Sequence, residues 1–280
     1  MQDVTIDTLI DRYPVLLFDA YGVLVHATGA LDGAADLIRR LNDSGKPYFI
    51  LTNDASKLAE TAAAKLQRYG LAVPAERIIT SGALLVNHFA VHGFAGARCA
   101  VLGTRDSALF VERAGGRIVP PADDFEVLVI GDETGFPFLE TVDAALGTLF
   151  RRLDRRQPAH LVLPNPDLIY PKAERSFGFC SGSVALMFEA ALRLRYPDRP
   201  PVEFARLGKP HPAIFEEALR RSGTRNMVMI GDQFETDIRG ANAFGIHSVL
   251  VDTGVNGTGL ATVPAPLRPT YRLASLQDTE

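Results

Sequence analysis

Residues 15–24 read VLLFDAYGVL, a run of four apolar residues that stops at an acidic one. A strand that is apolar at every position suits a parallel sheet, in which both faces of the strand are buried. Asp19 then stands at the carboxyl end of that strand, and Gly22 provides the turn that follows. Because ligands of open parallel sheets bind beyond the carboxyl ends of the strands, Asp19 is a candidate functional residue.

Similar strand-and-helix units recur along the chain. Helical patterns span residues 34–41 and 57–69 and are followed by Gly45 and Gly70, as is typical of helix ends. Further buried strands are predicted at residues 48–51, 78–82, 99–102, 127–130, 160–163, 227–230 and 248–251. This alternation predicts an α/β fold with a doubly wound, Rossmann-like parallel sheet.

Polar residues that could take part in a reaction stand at the ends of several predicted elements. Thr52 and Asp232 follow strands as Asp19 does, and Lys209 opens a helix. One βα unit fits between Asp19 and Thr52 (52 − 19 = 33) and one between Lys209 and Asp232 (232 − 209 = 23). The intervening 157 positions (209 − 52) are too many for one unit, so they are predicted to contain an inserted domain.

These residue types suit the transfer of a phosphoryl group. A carboxylate such as Asp19 can attack phosphorus and divide one difficult displacement into two easier ones. The hydroxyl of Thr52 and nearby backbone N–H groups can hold a phosphoryl oxygen, and Lys209 can neutralise negative charge. Asp232 offers a hard oxygen to Mg²⁺, which we therefore predict as the cofactor.

Charge and composition exclude several other functions. A formal net charge of −4 and a pI near 5.9 give no basic surface for nucleic acid. The acidic, mixed N-terminus lacks the pattern of a signal peptide, and no apolar run is long enough to cross a bilayer. Two dispersed cysteines, Cys99 and Cys180, suit a reducing compartment. We expect a cytoplasmic protein that acts on a small molecule, without nucleic-acid or membrane partners.

Four stretches of the sequence resemble a known family. Phe18–Leu24, Leu51–Asp54, Gly208–Pro212 and Gly231–Ile238 are similar, in order, to the four motifs of the haloacid dehalogenase superfamily. The resemblance covers nearly the whole chain, and four ordered motifs are far more specific than one.

The position of the insertion resembles class IIA of that superfamily, which includes 4-nitrophenyl phosphatases and sugar-phosphate phosphatases. Asn165-Pro166-Asp167 and Ser181-Gly182-Ser183 are similar to further features of this branch. On this basis, residues 1–83 and 177–280 are expected to form the catalytic core, and residues 84–176 a substrate-selecting α/β cap. The resemblance is also consistent with a homodimer formed through the cap.

The resemblance assigns roles to individual residues. It implies that Asp19 is the nucleophile and that Lys209 orients it. It further implies a metal site formed by Asp19, the backbone carbonyl of Tyr21, Asp232 and Asp237. Thr52 and Asn53 would hold the phosphoryl group of a small phosphorylated metabolite, and Tyr21 would line the same site.

Tyr21 departs from the pattern of the family, because phosphatases of the superfamily usually carry a second aspartate at that position. That aspartate protonates the leaving group, a contribution of roughly 10²–10⁴-fold, and a tyrosine is a poor substitute near neutral pH. His26 and Asp167 are weak candidates for a replacement acid, and Asn165 and Tyr170 are candidates for contact with the substrate.

Three functions remain open at this point. The first is a phosphatase that acts on a good leaving group or recruits another acid. The second is a non-catalytic protein that keeps the phosphate and metal site as a sensor or scaffold. The third is a 2-haloacid dehalogenase, since Asp19-Ala20-Tyr21-Gly22 resembles the first motif of that activity. The apparent metal-site pair Asp232 and Asp237 favours the phosphatase.

Overall fold

A computed structural model describes residues 2–173, 176–252 and 263–277. The strands of this part of the chain are β1 (Gln2–Val4), β2 (Val15–Phe18), β3 (Val25–His26), β4 (Gly29–Ala30), β5 (Tyr48–Thr52), β6 (Ile78–Thr80), β7 (Arg98–Leu102), β8 (Arg117–Ile118), β9 (Val127–Ile130), β10 (His160–Leu163), β11 (Ile169–Ala173), β12 (Ser176–Phe179), β13 (Ala205–Arg206), β14 (Met227–Gly231), β15 (His247–Val251) and β16 (Tyr271–Leu273).

The α-helices of the same part are α1 (Ile6–Arg12), α2 (Ala34–Asp43), α3 (Ala59–Arg68), α4 (Leu85–His92), α5 (Arg105–Arg113), α6 (Phe138–Asp154), α7 (Ser181–Arg195), α8 (Pro212–Ser222) and α9 (Arg239–Phe244). Shorter helical turns lie at Ala75–Arg77, Ser81–Leu84, Phe234–Ile238 and Ala265–Leu267, and the turn at Phe234–Ile238 has π-helical geometry. No helix within the described ranges is both long enough and apolar enough to cross a membrane.

The chain folds into two compact units, of which the first comprises residues 1–52, 59–79 and 209–280. Its sheet has the order β1-β16-β15-β14-β2-β5-β6, and neighbouring strands from β1 to β5 run parallel. The chain proceeds from β2 towards β5 on one side, while β14 lies against the other side of β2. Strand order therefore reverses at β2, and the crevice at such a reversal is where ligands of doubly wound sheets bind.

Apolar periodicity explains how helix α2 packs on this sheet. Leu37, Ile38 and Leu41 share one face of the helix and are buried in the same cluster as Phe18 of β2 and Ile50 of β5. Burying side chains of this size contributes roughly 1.5–3 kcal/mol each. The helix thereby stabilises the two strands whose carboxyl ends carry Asp19 and Thr52.

The second unit comprises residues 53–58 and 80–208, and it has its own parallel sheet of order β13-β10-β9-β7-β8. Its core combines Leu128 and Ile130 of β9 with Leu149 of α6 and Phe188 of α7. A separate antiparallel hairpin joins β11 to β12. The predicted α/β class and parallel sheets are confirmed.

The boundaries of the two units differ from the expected division at residues 83 and 177. Residues 177–208 belong with the second unit, because Val184 and Phe188 of α7 are part of its core and β13 pairs with β10. The helical pattern of α7 does not reveal in the sequence which sheet the helix covers, and the division into core and cap stays a prediction.

Residues 53–58 also belong to the second unit, although they follow directly from β5. The segment is held by the N-terminal end of helix α5. Thr104 donates to the carbonyl of Ser56 at 2.7 Å, and Ser107 donates to that of Ala55 at 2.9 Å. Asp106 accepts from the backbone N–H of Leu58 at 2.9 Å. These contacts are specific to the folded chain and have no local sequence pattern.

Candidate active site

Asp19 and Asp232 follow neighbouring strands of the first sheet. The backbone N–H of Asp19 donates to the carbonyl of Ile230 in β14 at 2.9 Å, which extends the pairing of the two strands to their ends. Asp237 lies a few residues after Asp232 in the π-helical turn, where its side chain is fully buried. Single π-helical turns are frequent at functional sites. The order of the strands thus brings three separate carboxylates to one edge of the sheet.

Lys209 bridges two of these carboxylates. Its Nζ lies 2.7 Å from Oδ1 of Asp19 and donates to Oδ1 of Asp237, also at 2.7 Å. The lysine is 2% exposed, so these charge-assisted bonds are formed away from water. Lys209 is therefore fixed in position and holds one carboxylate oxygen of Asp19 at a defined point.

Burial and mutual repulsion shift the protonation of the cluster. Burial, followed by repulsion from Asp237, raises the pKa of Asp19 to about 7, although Lys209 opposes the shift. Burial and the charges of Asp19 and Asp237 raise the pKa of Asp232 to about 8. Burial alone would lower the pKa of Lys209, but the two bonded carboxylates raise it above its usual range. The lysine therefore stays charged.

The donor set fits a divalent cation. Asp19, Asp232 and Asp237 each offer a carboxylate oxygen, and these oxygens lie within 4.8 Å of one another. Together with Lys209 they carry three negative charges and one positive charge when ionised, an excess that a hard cation would neutralise. Oxygen ligands in this number are typical of magnesium sites, which keep further positions for water and substrate.

The loop after β2 approaches these carboxylates so closely that it requires glycine. Gly22 has a φ of +90°, and a Cβ atom placed there would lie 2.3 Å from Oδ2 of Asp232. A Cβ at Gly231 would lie 2.3 Å from that of Asp237. Its place after a strand predicted only a turn for Gly22, and the close approach to Asp232 was not predicted. Gly22, three residues after Asp19, and Gly231, directly before Asp232, were the available signal.

The remaining predicted site residues lie at the end of β5 and in the loop after β2. Thr52 is the last residue of β5, which pairs with β2. Asn53 is the first residue of the second unit, 6% exposed, and its Nδ2 donates to Oδ1 of Asp167 at 2.9 Å. Tyr21 is partly buried in the loop after Asp19, where it forms an isolated bridge with Val25.

The two candidates for a replacement acid have different surroundings. The Nδ1 atom of His26 accepts from the backbone N–H of Thr28 at 3.1 Å, an interaction that places the ring proton on Nε2. Asp167 is partly exposed and contacts Asn53, while Asn165 Oδ1 accepts from its backbone N–H at 3.0 Å.

Tyr170 does not stand out as a site residue. It lies in β11 opposite Gly178 of β12, and the ammonium of Lys172 lies 5.7 Å from the centre of its ring. A Cβ at Gly178 would be 2.6 Å from this ring. These contacts account for the tyrosine as a residue that stabilises the hairpin.

Comparison with known proteins places the chain in a family. Residues 16–117 match a model described as haloacid dehalogenase-like hydrolase, and residues 206–279 match one described as HAD-hydrolase-like. A D-glycerol 3-phosphate phosphatase from Mycobacterium tuberculosis is 31% identical over 266 residues, which cover 94% of this chain and 70% of the relative. The chain belongs to the haloacid dehalogenase-like hydrolases. The family predicted from the four motifs is confirmed.

One further relative and two solved structures support the assignment. A dihydroxyacetone phosphatase from Corynebacterium glutamicum is 27% identical, over 94% of this chain and 89% of its own. A solved structure from Cytophaga hutchinsonii, described as a possible sugar phosphatase, has a TM-score of 0.82 at 29% identity and covers 99% and 98% of the two chains. The glycerol phosphate phosphatase of M. tuberculosis in complex with magnesium has a TM-score of 0.79 at 28% identity, over 99% and 78%.

Proposed function

We propose that this hydrolase cleaves the phosphate monoesters of small metabolites, with Asp19 as a covalent nucleophile. The observation that carries the proposal is the contact of Asp19 with Lys209 at 2.7 Å, inside a cluster of three buried carboxylates. The ammonium favours the ionised form of Asp19, which is the nucleophilic form, and fixes its orientation. Relatives of the chain are named D-glycerol 3-phosphate phosphatase, dihydroxyacetone phosphatase and acid sugar phosphatase.

The chemistry proceeds in two displacements. In the first, a carboxylate oxygen of Asp19 bonds to phosphorus while the bond from phosphorus to the ester oxygen breaks, and the alcohol leaves with the electron pair and gains a proton. In the second, water attacks phosphorus, the bond to Asp19 breaks, and inorganic phosphate is released. Lys209 holds Oδ1 of Asp19 and so orients the carboxylate, and Thr52 and Asn53 are proposed to bind the phosphoryl oxygens.

Asp19, Asp232, Asp237 and the carbonyl of Tyr21 are the residues proposed to hold Mg²⁺. The bound ion would neutralise charge on the phosphoryl group and so reduce its repulsion from the carboxylates. In the absence of a second aspartate at Tyr21, the site favours esters whose alcohol is a good leaving group. We also propose that the second unit selects the substrate as a cap. A homodimer formed through it remains a prediction, as does a cytoplasmic location.

Phosphate release from a panel of esters tests the proposal. The panel comprises glycerol 3-phosphate, dihydroxyacetone phosphate, sugar phosphates and 4-nitrophenyl phosphate, each with Mg²⁺ and with a chelator. Asp19→Asn should abolish metal-dependent release without unfolding the protein, whereas Asp36→Asn should leave it unchanged. Asp36 is a suitable control because its side chain is 76% exposed on helix α2.

Two outcomes would replace this proposal with one of the alternatives. Mg²⁺ binding without release from any ester would indicate a non-catalytic sensor or scaffold. Metal-independent release of halide from 2-haloacids would indicate a dehalogenase.

A further inference from the structure

Three sequence features outside the carboxylate cluster are linked, directly or through Asp167, to one side chain, the amide of Asn53. They are the Asn165-Pro166-Asp167 loop, the start of helix α7 at Ser181-Gly182, and Gly208. From their contacts we infer that Asp167 is a positioning residue, which fixes the direction of the Asn53 amide so that it can bind the phosphoryl group. This inference rests on the proposed function of Asn53.

The contact between Asn53 and Asp167 defines the orientation of the amide. Nδ2 of Asn53 lies 2.9 Å from Oδ1 of Asp167, and an ionised carboxylate can only accept hydrogen bonds. The nitrogen end of the amide must therefore face Asp167, and the oxygen end must face away from it. A bond to a charged acceptor is also stronger than one between neutral groups, which makes the orientation more persistent.

The oxygen end of the amide faces Gly208. A Cβ atom at Gly208 would lie 2.5 Å from Oδ1 of Asn53 and 2.7 Å from the carbonyl oxygen of Pro164. The backbone N–H of Gly208 donates to that carbonyl at 2.9 Å. The amide of Asn53 is thus enclosed on both sides, by a carboxylate on one and by a backbone without a side chain on the other.

Asp167 is itself held rigidly. Its backbone N–H donates to Oδ1 of Asn165, and its carbonyl accepts from the N–H of Gly182 at 3.0 Å. A Cβ at Gly182 would lie 2.3 Å from the carbonyl oxygen of Pro166, so the loop sits directly on the start of α7. Because the backbone of Asp167 is fixed, its carboxylate can orient another group.

The backbone of Asn53 is fixed as well, and the chain connects it to the nucleophile. Ser81 is fully buried and donates to the carbonyl of Asn53 at 2.6 Å. Asn53 is peptide-bonded to Thr52, the last residue of β5, and β5 pairs with the strand that ends at Asp19. A donor held in one direction binds a phosphoryl oxygen without the cost of ordering it at each turnover.

The test compares Asn53→Ala, Asp167→Ala, Asp167→Asn and the double variant Asn53→Ala/Asp167→Ala. The readouts are the Kd for inorganic phosphate in Mg²⁺, the kinetics with glycerol 3-phosphate and 4-nitrophenyl phosphate, and the NMR signals of the Asn53 side-chain amide. Asp143→Asn, on the exposed surface of helix α6, serves as the matched control.

A positioning role predicts a specific pattern. Asp167→Ala should weaken phosphate binding and kcat/KM by about 10- to 100-fold, equally for the two esters, and should shift the Asn53 amide signals. The double variant should be no worse than Asn53→Ala alone, because Asp167 acts through Asn53. Asp167→Asn should recover much of the loss, since its amide oxygen can still accept from Asn53.

Other results would overturn the inference. A loss that is larger for glycerol 3-phosphate, adds to that of Asn53→Ala and is not recovered by Asp167→Asn would make Asp167 the proton donor instead. Unchanged phosphate binding and unshifted Asn53 signals in Asp167→Ala would exclude any positioning role. The NMR signals do not depend on turnover, so failure of the phosphatase proposal and failure of this inference can be distinguished.

Discussion

Lys209 forms two buried ion pairs in the site. Its ammonium contacts Asp19 and Asp237 at 2.7 Å and is 2% exposed. Removing one partner from a buried ion pair leaves an uncompensated charge and costs about 3–5 kcal/mol. The same substitution also removes the group that favours the ionised nucleophile.

We therefore expect Lys209→Met to lower kcat by at least about 100-fold and to lower the melting temperature in chelator. Added Mg²⁺ should recover part of the stability but not the activity, because it neutralises the carboxylates without orienting Asp19. Lys65→Met, on helix α3, should change neither property. Phosphate release and thermal unfolding with and without Mg²⁺ measure these effects, and unchanged kcat in Lys209→Met would contradict the role of the lysine.

Tyr21 stands at the position where the resemblance to the superfamily leads us to expect a second aspartate. If protonation of the leaving group limits turnover, Tyr21→Asp should raise kcat for glycerol 3-phosphate by up to roughly 10²-fold. The gain for 4-nitrophenyl phosphate should be smaller, because its leaving group needs little protonation. Steady-state kinetics with both esters provide the measurement. Equal changes for the two esters would show that the substitution acts on something other than protonation.

The loop between β2 and β3 is the element most constrained by the site. Gly22→Ala places a methyl group 2.3 Å from Oδ2 of Asp232 at a φ of +90°, whereas Gly45 has a φ of +66° with open space around it. Both substitutions impose the strain of a left-handed conformation, which costs about 1 kcal/mol. Gly22→Ala alone should also weaken Mg²⁺ binding, by about 10-fold or more, as measured by calorimetry. Equal metal affinity in the two variants would contradict the close approach.

The elements of the first sheet could be predicted from the sequence because each has a strong local pattern. Four consecutive apolar residues predicted β2, and the carboxyl end of that strand predicted Asp19 as a site residue. The sequence did not predict that residues 53–58 and helix α7 belong to the second unit. This attachment depends on contacts such as that of Thr104 with Ser56, between residues far apart in sequence.

The residues of the site could also be predicted in part. Topology and spacing predicted that Asp19, Thr52, Lys209 and Asp232 would lie together. The structure brings Asp19, Lys209 and Asp232 together with Asp237, and a shared site with Thr52 stays a prediction. The bond from Lys209 to Asp237 was not foreseen, because the sequence does not indicate how far a π-helical turn brings Asp237 inward.

At the scale of the whole molecule, the two units respond to pH in opposite directions. In the first, the raised pKa values of Asp19 and Asp232 stabilise the metal-free protein at low pH, and this contribution is lost as the pH rises through about 7 to 8. The second unit contains a ring cluster of His88, His92, Phe94 and His160. Burial, and then repulsion from His92 and His160, lowers the pKa of His88 to about 4.

The lowered pKa of His88 makes the second unit sensitive to acid. Because the unfolded chain binds a proton near pH 6.5 and the folded ring does so near 4, folding stability falls as the pH drops between these values. The ring is partly exposed, so we expect about 1 kcal/mol rather than the full value of the shift. For a domain of this size that corresponds to about 2–4 °C in melting temperature.

Thermal unfolding of wild type and His88→Leu at pH 7.5 and pH 5 tests this expectation. Saturating Mg²⁺ in all samples suppresses the opposite contribution of Asp19 and Asp232, since the bound ion keeps them ionised. The fall in melting temperature from pH 7.5 to pH 5 should be smaller in His88→Leu, while His26→Leu, a change in the first unit, should keep the fall seen in wild type. An identical fall in wild type and His88→Leu would mean that the ring already takes up its proton in the folded state near pH 6.5.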